Sequence, residues 1–242
     1  NPFVFYMDPL AVDQGNPYLK PQFTDNFEIN YSYKQASLSL GYSDTRDMIT
    51  QISQQNDATR VISVIRQNLG RFQNFSAGIY VPIKIAKWWN LQNNASIYYS
   101  KFEDGNLEGA AYSAGKAAVN LYSSSSFTLP QNFSVEINFW LNTPRVSGVE
   151  RTTVTQYAIN AGIQKSMLNK KLKLRLNMDD IFLTNYWAGS LIYQNVNMNV
   201  TNRYTSRRAN FNISYSFGNQ NVKSARSRNT ATDDIKNRAG GS

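Results

Sequence analysis

The chain has 242 residues, of which 13% are aromatic, and a formal charge of +9 at pH 7. It has no cysteine and no histidine, which excludes disulfides, the usual zinc sites and catalysis that needs a thiol or an imidazole. Charged or amide residues interrupt every apolar stretch before it reaches the length of a membrane-spanning helix. If the chain crosses a bilayer, it must therefore do so as β-strands.

Residues 1–25 are predicted to form a long extracellular loop. The segment holds four prolines and Gly15, and this density of turn-forming residues opposes regular structure over most of it.

The remainder of the chain up to residue 218 is predicted to form β-strands. Apolar and polar residues alternate with a period of two, as is typical of strands that separate two environments. In the last predicted strand, for example, Phe211, Ile213 and Tyr215 share one face while asparagines and serines occupy the other. We predict nine strands, at residues 26–35, 38–42, 75–81, 91–99, 119–129, 133–141, 157–163, 172–178 and 208–217.

The connections between these strands alternate in length. Short turns are predicted near Gln35, Pro130, Asn169 and residues 82–87, where Pro82 is expected to end its strand because it cannot donate to a sheet ladder. Long loops are predicted at residues 44–68, 101–116, 142–153 and 180–207. Short periplasmic turns and long extracellular loops are the pattern of an antiparallel transmembrane β-barrel. Bacterial barrels have an even number of strands, so nine strands predict the C-terminal part of a larger barrel or a need for partner strands.

Several short motifs resemble those of the C-terminal barrel of TonB-dependent receptors, in the variant called the outer-membrane β-barrel protein family. The motifs are Asn1-Pro2-Phe3, the GNPYLKP segment at residues 15–21, Lys87-Trp88-Trp89, Asp180-Ile181-Phe182 and Tyr215-Ser216-Phe217-Gly218. A glutamate commonly follows the GNPYLKP segment in relatives, and Gln22 stands there instead. The resemblance implies an outer-membrane receptor with a barrel of about 22 strands. An N-terminal plug would close this barrel, and an energy-coupling protein would open it.

The external loops contain five candidate ligand contacts, because exposed aromatic and arginine side chains suit flat or anionic ligands. These are Arg145, Arg151, Tyr186, Trp187 and Arg203. Packing of the loops would explain the same residues.

Four apolar residues of the last strand carry a second implication of the resemblance. Phe211, Ile213, Tyr215 and Phe217 look like the C-terminal signal that the barrel-assembly machinery recognises. The basic residues 219–242 are predicted to form a solvated periplasmic tail. This tail lacks the aromatic residues and periodicity of a nucleic-acid-binding segment, so no nucleic-acid partner is expected.

Charged residues of the penultimate strand allow two interpretations. Lys173, Arg175 and Asp179 suit a wall that faces water or a plug, with anion binding as the alternative. Asp179-Asp180 could hold a metal or serve in acid–base chemistry, but no further carboxylates surround them in the sequence, which favours a polar strand end.

Three functions are consistent with these observations. The first is a nutrient transporter for a metal chelate, oligosaccharide or peptide in the outer membrane of a Gram-negative bacterium, in contact with lipid. The second is a structural or interaction barrel in a larger complex. The third is an outer-membrane hydrolase, which the missing histidine disfavours. We expect no enzymatic activity, no cofactor and no bound metal.

Overall fold

The computed structural model describes residues 3–217, which fold almost entirely as β-strands. The strands are β1 Val4–Asp8, β2 Ala11–Gln14, β3 Phe23–Tyr33, β4 Ala36–Asn56, β5 Val61–Ala86, β6 Trp89–Leu107, β7 Ala110–Leu129, β8 Phe133–Asn142, β9 Arg145–Ser147, β10 Glu150–Thr152, β11 Gln156–Met167, β12 Leu172–Asp179, β13 Trp187–Tyr193, β14 Val196–Asn202 and β15 Arg208–Tyr215. A single 3₁₀ turn, Pro130–Asn132, joins β7 to β8. Among the described residues, no helix has the length and apolar character that a membrane crossing requires.

Nine of these strands form a continuous antiparallel meander, in the order β3-β4-β5-β6-β7-β8-β11-β12-β15. Each of the nine predicted strands falls on one of them, so the prediction of nine strands is confirmed, although the predicted ranges 26–35 and 208–217 each extend two residues too far. We call these nine strands the wall. Within residues 3–217 the wall is an open sheet and not a closed barrel, since β3 pairs only with β4 and β15 only with β12.

The pleat of the wall separates an apolar face from a polar face. On the apolar face, Phe27, Tyr42, Phe75 and Tyr99 lie side by side on four neighbouring strands. The rings of Tyr42 and Phe75 are 4.6 Å apart. The opposite face carries mainly asparagine, serine and glutamine. Large side chains of the apolar face are well exposed, Phe27 by 66% for example, which suits contact with lipid.

The prediction that residues 1–25 form a loop is wrong for residues 4–14, which form a short hairpin, and for residues 23–25, which begin β3. Strands β1 and β2 pair with each other, β2 runs parallel to the start of β5, and β3 begins at Phe23. The prolines did not prevent this, because Pro9, Pro17 and Pro21 all fall between strands. Strand β5 has a free edge there, since its pairing with β6 begins only at Arg71 and Glu103.

The prediction that Pro82 ends a strand is also wrong. Pro82 lies inside β5, opposite Gln92 of β6. On its other side, β5 has already lost its partner, because the pairing with β4 stops at Ser37 and Tyr80. Pro82 therefore lies at a local sheet edge, where the missing N–H leaves no ladder bond unmade.

The four predicted long loops contain ordered hairpins. Strands β4 and β5 extend to a turn at residues 57–60, and β6 and β7 extend to a turn at residues 108–109. The other two loops contribute a separate four-stranded sheet in the order β14-β13-β10-β9. Three of the short turns are confirmed at residues 34–35, 130–132 and 168–171, and the turn predicted over residues 82–87 is shorter and lies at residues 87–88. The predicted tail, residues 219–242, lies outside the described residues.

These hairpins pack together into a small folded unit, which we call the cap. Its core consists of Ile52, Leu69, Phe102, Leu107, Val149, Tyr193 and Val196. These residues come from all four hairpins, which we call the arms of the cap. Burial of their side chains therefore holds the arms against one another. The wall itself is one sheet thick, so the buried core of the described structure belongs to the cap.

Gly70 lies where β5 leaves its pairing with β6, and the backbones of the two strands approach each other closely there. The Gly70 N–H donates to a carboxylate oxygen of Asp104 over 2.7 Å. A Cβ atom at this position would come 1.8 Å from the carbonyl oxygen of Glu103. No rotation of a flexible side chain could relieve that clash, because the obstacle is backbone.

We predict that Gly70→Ala loosens the cap while leaving the wall assembled. The clash should lower the free energy of unfolding of the cap by about 1–3 kcal/mol. Trypsin cleavage in the β4–β5 arm, at Arg60 or Arg66, should then become faster. Gly105→Ala is the matched control, since no atom lies within 4 Å of its Cβ position. Equal cleavage rates for both variants would contradict the role of Gly70.

A polar groove beneath the cap

The polar face of β8, β11 and β12 forms a groove just beneath the cap. It consists of two adjoining clefts of about 370 Å³ and 310 Å³ that share Asn160 and Asp179. Aromatic and basic side chains near the cap line the first cleft, among them Trp140, Tyr204 and Arg208. The second cleft continues toward the short turns and is lined chiefly by amides and by the pair Glu136 and Arg175.

Most polar groups of the second cleft are bonded to one another. Arg175 contacts the Glu136 carboxylate at 3.2 Å and donates to Asn177 Oδ1 at 2.8 Å. Asn138 donates to the other oxygen of Glu136 at 3.0 Å. The guanidinium charge is thus already matched, which favours the prediction of a wall facing water or a plug over the prediction of anion binding. Lys173 and Asp179 share this polar face.

Amides, hydroxyls and two aromatic rings equip the groove to bind a polar ligand by hydrogen bonds and ring contacts. The described residues contain no group of three or more carboxylate side chains placed to hold a metal ion.

Asp180 anchors the loop that borders the groove. It follows β12, has a positive φ of 43° and is 2% exposed. Its carboxylate accepts hydrogen bonds from the Thr184 and Asn185 N–H groups and from the Thr184 and Ser206 hydroxyls. Burial alone would raise the pKa of the Asp180 carboxyl, but these donors outweigh it and hold the pKa below its usual range. The Asp180 carboxylate thus ties two loop segments together, which fits the prediction of a polar strand end.

The five predicted ligand contacts all lie on or beside the four-stranded sheet of the cap, β14-β13-β10-β9. Arg145 is in β9, Arg151 in β10 and Trp187 in β13, while Tyr186 and Arg203 flank this sheet. Arg203 lies over the Tyr186 ring at 4.8 Å and is exposed. The other four are partly buried, and Arg151 Nε is buried without a hydrogen-bond partner. Arg203 is thus the most accessible of the five side chains.

Two residues that organise this region were not singled out from the sequence. Tyr193 is 6% exposed, and its hydroxyl both donates to the Ser53 carbonyl oxygen and accepts from the Ser53 N–H at 2.7 Å. Burial raises the pKa of the Tyr193 hydroxyl, which keeps its proton available for donation. Gly70 is the second. No local pattern marks either residue, because their partners lie far away in sequence.

We predict that Asp180→Asn removes an acid-dependent part of the stability. Because the folded pKa is lowered, the carboxylate stabilises the fold above its ordinary pKa of about 4, and this is lost as the pH falls through the folded value. The wild-type melting temperature should fall on acidification from about pH 6 to pH 2. The variant should lose about 1–3 kcal/mol near neutral pH and show a flatter acid dependence. Asp47→Asn, at an exposed carboxylate, should match the wild type, and an unchanged acid dependence in Asp180→Asn would contradict the assignment.

Comparison with known families places these features in context. The family model described as "Outer membrane protein beta-barrel family" matches residues 1–215. No curated protein and no solved structure matches the chain. The matched range includes the wall, the cap and the groove. The chain therefore belongs to the outer-membrane protein β-barrel family, whose place is the outer membrane.

Proposed function

We propose that this chain is the C-terminal barrel portion of a TonB-dependent receptor-like transporter in the outer membrane of a Gram-negative bacterium. It would help to import a nutrient such as a metal chelate, an oligosaccharide or a peptide, without enzymatic activity of its own. The observation that supports this proposal most is the open nine-stranded wall, whose two edge strands have free backbone groups.

The direction of the edge strands favours a larger barrel. Both β3 and β15 run from the cap toward the short-turn end, because an odd number of antiparallel strands separates them. Direct closure would pair them in parallel, whereas bacterial outer-membrane barrels pair antiparallel throughout. An odd number of further strands would satisfy both edges and give an even total. A barrel of about 22 strands would meet this condition and leave a wide lumen.

The polar face of the wall suits such a lumen. Asparagine, serine and glutamine side chains line it, and the groove beneath the cap offers hydrogen-bonding groups together with Trp140 and Tyr204. A water-filled passage or the surface of a plug would satisfy these groups. Arg203 and Tyr186, at the exposed side of the cap, are proposed to contact ligand first, with Arg145, Arg151 and Trp187 behind them.

The last strand supports a role in barrel assembly. Phe211, Ile213 and Tyr215 lie on the apolar face opposite Leu176, Leu174 and Leu172. Phe217 packs edge-on against Tyr215 with ring centroids 4.6 Å apart. Because the far edge of β15 is free, we propose that these four residues are presented to the barrel-assembly machinery.

One observation favours the second candidate, a structural or interaction barrel. The cap arms are held by a buried core and by the Tyr193 hydrogen bonds, so they are poorly suited to large opening motions. A fixed external surface is what a stable surface complex requires.

We predict that cysteines at the two edges do not cross-link to each other. The chain has no native cysteine, so Asn30→Cys on β3 and Asn212→Cys on β15 are unique positions on the polar face. In native membranes, oxidation should yield little intrachain disulfide, because further strands lie between β3 and β15. Asn30→Cys with Ser39→Cys, which are direct cross-strand partners, is the positive control. Glu28→Cys and Ser32→Cys, each combined with Asn212→Cys, test two other registers between β3 and β15. An efficient β3–β15 disulfide would show that nine strands close on themselves.

The transport proposal itself is tested on the native particle purified in detergent. We expect intact mass and peptide sequencing to find a plug domain, on the same polypeptide or an associated one, and we expect the particle to retain the isolated periplasmic domain of the energy-coupling protein. A closed particle with neither property would favour the structural barrel.

A further inference from the structure

Positive charge is concentrated at one end of the wall. The strand ends and short turns there comprise residues 31–37, 82–91, 127–134, 165–174 and 213–217, and they contain seven lysines and no carboxylate. We call these lysines the basic rim: Lys34, Lys84, Lys87, Lys165, Lys170, Lys171 and Lys173. None of them forms an ion pair with the described residues.

The end of the wall next to the cap is organised differently. Three ion pairs lie just beyond the aromatic row there, and each cation has its own carboxylate. They are Arg46 with Asp25, Arg71 with Asp44, and Lys101 with Glu103, at 2.8, 2.6 and 2.7 Å. In these three pairs each cation has a carboxylate partner, whereas no lysine of the basic rim has one among the described residues.

Aromatic side chains place part of the basic rim at the depth of lipid headgroups. The Lys165 ammonium lies 3.9 Å from the centre of the Phe133 ring, and Lys34 lies 5.3 Å from that of Tyr33. Lys87 precedes Trp88 and Trp89, whose rings stack 6.1 Å apart. Tryptophan and tyrosine favour the boundary between hydrocarbon and water, and lysines beside them extend their ammonium groups to the polar side.

We propose that the lysines of the basic rim that lie in the turns or on the apolar face bind phosphatidylglycerol, an anionic glycerophospholipid, in the leaflet that surrounds the short turns. Its phosphodiester carries the missing negative charge, and its acyl chains continue along the apolar face above Phe133 and Trp88. A compact ammonium is a suitable point charge for a phosphate. The inference depends on membership of the barrel family and on the position of the short turns. It does not depend on transport.

Lys34, Lys87, Lys165 and Lys170 are the most useful positions for a test. Lys165 shares the apolar face of the wall, and the other three are exposed in the turns. Lys84 and Lys173 belong to the polar face and are left unchanged. The matched control neutralises four exposed cations away from the rim, namely Lys20, Arg60, Arg66 and Lys116.

The experiment uses the native particle, reconstituted into phosphatidylcholine vesicles that contain a minor fraction of brominated lipid. Bromine quenches the fluorescence of nearby tryptophans, and Trp88 is 51% exposed at the rim. Quenching by brominated phosphatidylglycerol is compared with quenching by brominated phosphatidylcholine. We expect a preference for phosphatidylglycerol of about fivefold or more at low salt, declining as salt is added.

Changing the four rim lysines to glutamine should abolish this preference, and the four-site control should retain it. A second variant with arginine at the same four positions should also retain the preference for phosphatidylglycerol. Because arginine keeps the charge but changes the side-chain shape, this variant separates charge from packing if the glutamine variant assembles poorly. A wild-type particle without any preference would overturn the proposal, as would equal loss in the control. Rim lysines that resist acetylation until a co-purifying protein is stripped away would assign the rim to that protein instead.

Discussion

The structure depends on one constraint, which is that backbone groups in hydrocarbon have no partner except another strand. The wall satisfies this constraint because every strand from β3 to β15 pairs with the next strand of the wall. The constraint also accounts for the proline inside β5, which lies where one neighbour has already ended. Within the wall, the two edges that are free along the whole strand are the outer edges of β3 and β15. The question of function therefore begins with what pairs with those edges.

Outside the hydrocarbon the same chain obeys a different rule. In water, the backbone groups of the arms can form hydrogen bonds with solvent, so strand pairing alone does not fix where the arms lie. A buried apolar core is needed to hold them in position. The cap provides that core from four hairpins. Gly70 permits a close backbone contact between β5 and β6, Asp180 fixes a neighbouring loop, and Tyr193 joins β13 to the hairpin that carries Ser53.

The wall could be predicted from sequence because its pattern is local. Alternation with a period of two marks each strand, and turn residues such as Pro130 and Asn169 mark the short connections. The cap could not, because its arms alternate less clearly and their partners are distant. Pro82 shows the remaining difficulty, since its tolerance depends on where β4 ends and not on its own neighbours. The five candidate contacts were predicted only as loop residues, and the fold is needed to show that they lie on or beside one sheet, with Arg151 partly buried and Arg203 exposed.

The contact between Tyr193 and Ser53 joins residues 140 positions apart, and this separation has a consequence for the order of folding. Contacts between distant residues form late, because the intervening chain must first be brought together. The intervening chain here comprises most of the wall, from the outer part of β4 to β12. We therefore expect the contact between Tyr193 and Ser53 to form after those strands have paired. Protection of Tyr193 from solvent would therefore report the completion of the wall beneath it.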